Sequence, residues 1–123
     1  MAPLPTLPRV NIGDLDWQER HLGGVLPRLV DALLQRGELE LVVQAAHERP
    51  DWFCARAAAQ QLCAAGEPGR AWAVLEPFAR TGWLPAVSGA VVAPARAGRA
   101  AEALALVPDV PTQRAEYRRR WGR

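Results

Sequence analysis

Apolar residues recur at helical spacing along most of this chain, and the recurrence breaks at regular places. Leu26, Leu29, Val30, Leu33 and Leu34 share one face of a helix that Pro27 can open and that runs to about Arg36. Leu39, Val42, Val43 and Ala46 define a second helix over 38–48, which Pro50 stops. Asp51 is placed to cap its successor, an alanine-rich helix over 52–65 with Cys54, Ala58, Leu62 and Ala65 on one stripe. Pro68 opens the next, to about Thr81, with Ala71, Val74, Leu75 and Phe78 on one face; Pro77 lies inside it, where a kink is expected. A helix over 83–97 takes Pro85 in its first turn, although Gly89 and the β-branched Val87, Val91 and Val92 lower its propensity. A short helix over 99–107 is closed by Pro108, and residues 111–121 form a last helix or a tail ordered on a partner. At the other end, Pro3, Pro5 and Pro8 crowd an extended arm over 1–13. Asp16 with Glu19 three residues on reads as a capping box for a helix from Trp17 to Leu22, which Gly23–Gly24 ends. No stretch alternates with period two for long enough to be a strand, so the expected class is all-α.

The punctuation between these helices has a period. Gly37, Gly66 and Gly98 each follow one apolar run and precede another, and they stand 29 and 32 residues apart. Ala71 and Ala103 each fall five residues after their glycine and head an aliphatic run. A period near 30 marks stacked helix-turn-helix units. The glycines, Ala71 and Ala103 together resemble a tetratricopeptide-like repeat, in which small residues sit where paired helices cross. The resemblance covers about residues 26–107, without that family's large aromatic and Leu-Gly pattern in the first helix. It implies a short right-handed array of antiparallel helix pairs, a TPR-like α-solenoid, with a concave face for a peptide or partner helix. The expected organisation is an arm over 1–13, a helical-repeat domain over 14–110 and a basic C-terminal helix or tail over 111–123.

Composition changes this picture in two respects. All 15 basic residues are arginine and alanine is abundant, the signature of a GC-rich bacterial genome. Net charge is only +2, yet Arg114, Arg118, Arg119, Arg120 and Arg123 face Glu116 alone in the last ten residues. That segment carries +4, which leaves −2 for the rest. A slightly acidic body opposes close approach to a polyanion, so nucleic acid is the lesser expectation for the arginine run. The first nine residues lack an apolar signal-peptide core, and no window reaches membrane-spanning length; a cytoplasmic protein without a membrane partner is expected.

Candidate chemistry is sparse. Cys54 and Cys63 lie nine residues apart in one helix, hence on opposite faces, and are expected to be reduced, small apolar residues. His47 with the two thiols matches no zinc spacing. Cys54 with His47 lacks an orienting third group and oxyanion donors, and Gly66-x-x-Gly69 lacks the Lys and Ser/Thr of a phosphate loop. No enzyme, cofactor or metal site is therefore expected. The expected contacts for a partner, either another protein or a second copy of this chain, are Trp72, Arg118, Arg119, Arg120 and Trp121, because tryptophan and arginine anchor interfaces. The apolar face of the helix over 99–107 (Ala100, Ala103, Leu104 and Val107) needs cover from a second copy or from the tail.

Overall fold

The computed structural model describes residues 10–122. They form eight helices and, among the described residues, no strand: α1 (Ile12–His21), α2 (Pro27–Gln35), α3 (Leu39–Glu48), α4 (Trp52–Ala64), α5 (Pro68–Ala79), α6 (Leu84–Arg96), α7 (Ala100–Leu106) and α8 (Val110–Trp121). The protein is all-α. From α2 to α7 each helix packs on the next, and alternate helices also meet, α2 on α4, α4 on α6 and α3 on α5.

The turns explain the order of the helices. Gly37, Gly66 and Gly98 adopt φ of 80°, 79° and 77°, a left-handed conformation that a Cβ disfavours. At each, the glycine N–H reaches the carbonyl three residues back and the next N–H the carbonyl five back: Glu38 to Leu33 (2.9 Å), Glu67 to Leu62 (2.8 Å) and Arg99 to Pro94 (2.8 Å). These paired bonds close the end of a helix, and the residue after each glycine already caps the next helix. Gly82 turns the chain between α5 and α6 at a similar φ of 80°, but there the Thr81 hydroxyl accepts the Trp83 N–H (3.1 Å). Both internal prolines are tolerated, since α5 continues through Pro77 and α6 through Pro94.

The core runs from Leu15 of α1 through Val30, Val42 and Ala46 into the space between α4, α5 and α6. Fully buried alanines (Ala55, Ala58, Ala71, Ala86 and Ala90) bring these helices close together. Phe78, Leu62 and Trp83 fill the space that remains. The Trp52 ring meets Trp83 edge-on at 5.0 Å and Phe78 at 5.9 Å, geometry that favours aromatic pairs. Ala103 in α7 is buried like Ala71 in α5.

The first helix departs from expectation. Asn11, not Asp16, caps α1, accepting the Gly13 N–H at 2.7 Å. Residues 12–13, assigned from sequence to the arm, are the first turn of α1, while residues 1–9 lie outside the described residues. Asp16 is instead buried, and its carboxylate accepts the Trp83 indole N–H at 2.7 Å. A capping box is a local signal, and here contacts from distant sequence claim the same side chain.

Candidate interaction surface

Three arrangements place side chains where chemistry or recognition could occur. The first is at the junction of α1, α2 and α4. Gln18 reaches across from α1, donating to the Pro50 carbonyl (2.9 Å) and accepting the Trp52 N–H (2.8 Å). Asp51, only 1 % exposed, caps α4 by accepting the Cys54 N–H (2.9 Å) and also accepts the Val25 N–H (2.6 Å). The backbone at Gly24 runs so close to this carboxylate that a Cβ would overlap it, and its φ is +95°. Both Asp51 oxygens and the Gln18 amide oxygen accept backbone N–H groups, so these side chains brace the junction.

The second joins α1 and α8. The Arg119 guanidinium pairs with both Asp16 and Glu116, Arg120 pairs with Glu19 at 3.1 Å, and Arg20 donates to the Arg120 carbonyl at 3.1 Å. Burial pushes the Asp16 carboxyl up, but bonds from Arg119 and Trp83 outweigh it and hold the group below its ordinary range. The Glu116 and Asp16 carboxylates correspondingly hold Arg119 above its own. Two of the three arginines expected to meet a partner are thus held within the chain. Arg118 remains exposed, without an ion pair among the described residues, and lines a shallow hollow with Leu84, Val110, Gln113, Arg114 and Tyr117. Trp121 is 67 % exposed with Arg120 over its ring at 5.3 Å. The tail is tied to α1 by these bonds, and Leu104 of α7 stays 73 % exposed.

The third is a groove of about 320 Å³ between α4 and α6. Trp52, Arg56, Ala59 and Cys63 line one wall, with Gln60 beside them, and Pro85, Gly89, Val92 and Arg96 the other, with Leu75 of α5 on the floor. Both walls are spaced i, i+4, i+7, i+11, one stripe of a helix over three turns. Ala59 and the bare Cα of Gly89 give the groove its depth; a Cβ on Gly89 would rest 3.8 Å from Leu75 Cδ1. None of the contact residues expected from sequence lines it. Trp72 is half-buried on α5 and packs against the core. The matching spacings were present in the sequence, but each stripe joins an arginine to small residues, a pattern without an apolar signature.

The thiols and histidines divide accordingly. Burial, with the Asp51 charge beside it, pushes the Cys54 thiol up to about 12. His47 Nε2 donates to the Val74 carbonyl at 3.3 Å. Cys63 is half-buried on the groove wall. Among the described residues no three metal-ligating side chains cluster, and no helix is long and apolar enough to cross a membrane. No protein-family model, curated protein or solved structure matches the chain.

Proposed function

We propose that this chain is a protein-interaction module, a short right-handed array of antiparallel helix pairs that takes a peptide or partner helix in the groove between α4 and α6. The groove carries the proposal: it is apolar at its base, open to solvent and about three helical turns long. The repeated glycine turns and the packing of alternate helices support the array. The module is non-catalytic. Cys54, the one thiol near a histidine in sequence, is sealed and protonated, and His47 is engaged by a backbone carbonyl. A second copy of this chain is a further partner through the exposed Leu104 and Val107 of the α7 end. A nucleic-acid role for the arginine tail is disfavoured, because Arg119 and Arg120 are already paired with carboxylates.

The test is to fill the groove without unfolding the protein. Gly89→Phe should keep the helical circular dichroism of the parent and abolish capture of a cellular partner. Arg118→Ala should leave that capture intact. Capture lost in Arg118→Ala and retained in Gly89→Phe would move the interaction to α8.

A further inference from the structure

The groove between α4 and α6 has a charge as well as a shape, and we infer that its occupant is an acidic, amphipathic peptide segment of another protein. This deepens the module proposal and presupposes the groove as its docking site. Of the groove's lining side chains two are charged, Arg56 and Arg96, and none is acidic. One arginine stands on each wall, second in the α4 stripe and fourth in the α6 stripe. Neither takes part in an ion pair among the described residues. The Arg56 guanidinium lies over the Phe53 ring, its carbon 6.0 Å from the centroid, and keeps its charge at an exposed position.

Between the two arginines the surface is mostly apolar or small (Ala59, Cys63, Leu75, Gly89 and Val92), with Gln60 its one uncharged polar side chain. Val92 is half-exposed at the rim and Leu75 nearly buried below it. An occupant must bury apolar side chains against Leu75 and Val92 and present carboxylates outward to both walls. Arginine forks pair carboxylates in two parallel bonds, so each wall adds direction as well as attraction. A basic segment would leave like charges opposed at both walls, which rejects it. The alternative polyanion, a nucleic-acid strand, wants aromatic faces on which bases can stack, and the groove's one ring, Trp52, is buried against Trp83 and Phe78.

The groove carries its own reporter. Cys63 lies on the α4 wall, and Cys54 is sealed with its thiol pushed up to about 12. Alkylation by iodoacetamide at neutral pH therefore reads Cys63, and an occupant should slow it. The probe is a displayed library of random peptides, each of about twelve residues to match the groove length, selected on the full chain. Selected peptides should carry net negative charge with apolar residues three and four apart, and should protect Cys63 from alkylation. Their affinity should fall about tenfold on the Arg56→Gln, Arg96→Gln double variant, which keeps both stems, and the difference should shrink at high salt. Peptides that protect Cys63 yet are neutral or basic, or that bind the double variant as tightly as the parent, would overturn the acidic preference and leave the groove as a docking site. Selected peptides that leave Cys63 alkylation unchanged would refute the groove itself, and the inference with it.

Discussion

Asp51 is a charged residue on which three segments depend. It caps α4, holds the turn before α2 through the Val25 N–H, and forces glycine at position 24. Removing its carboxylate leaves the buried Cys54 N–H and the half-buried Val25 N–H unpaired, so Asp51→Ala should cost about 3 kcal/mol in urea denaturation. Asp16 gives a prediction in pH. Its carboxyl is held below the ordinary value of 3.8, so its contribution is present above about that pH and is lost as pH falls through the lowered value. Asp16→Asn should therefore be less stable than the parent by about 2 kcal/mol at neutral pH. The gap should narrow as acid protonates the parent's carboxyl. Denaturation curves from neutrality to below pH 4 check this; a gap independent of pH would mean that the charge at Asp16 contributes nothing. Sequence offered Asp51 as a cap, which it is. It offered Asp16 as another, which it is not, because Trp83 and Arg119 lie 67 and 103 positions away and no local pattern contains them.

The helices were legible because their ends are chemically marked. Pro27 and Pro68 open helices, Pro85 and Pro111 stand in first turns, and Gly37, Gly66 and Gly98 close helices in a conformation that costs other residues. Substitution should expose that conformational cause. Nothing lies within 4 Å of a Cβ built on Gly66 or Gly98, so Gly66→Ala and Gly98→Ala meet no steric obstacle; each should still cost about 1 kcal/mol through the positive φ alone. Gly89 sits inside α6 with ordinary backbone, and Gly89→Ala should stabilise by about 0.5–1 kcal/mol. Thermal melts of the three variants should differ in sign. If Gly66→Ala also stabilises, the left-handed turn is not required there. The groove was not legible by the same means, since what defines it is the absence of a side chain at Gly89 and the meeting of two helices separated by α5.

At the scale of the molecule, the basic tail has a different destiny from the one its composition suggests. Five arginines near the C-terminus read as a free cationic patch, yet α1 supplies Asp16 and Glu19 as counter-charges. What the tail leaves bare is the α7 end, with Leu104 and Val107 in solvent. If a second copy covers that end, sedimentation should show a concentration-dependent dimer. Leu104→Glu should return it to monomer without loss of helicity, since the residue makes no buried contact to lose. A parent that stays monomeric across the accessible concentration range would remove the second copy from the partners.

The clasp between α1 and α8 also has a consequence in time. Its partners stand 103 positions apart, so bringing them together before the intervening helices are placed would cost the entropy of closing most of the chain into a loop. The clasp should therefore form on the native side of the folding barrier. In stopped-flow experiments Asp16→Asn should speed unfolding by about thirtyfold, the whole of its equilibrium cost, and leave the refolding rate nearly unchanged. A matching slowdown in refolding would place the clasp inside the nucleus. On this account α1 and α8 set how long the folded state lasts, while α4, α5 and α6 set how quickly it is reached.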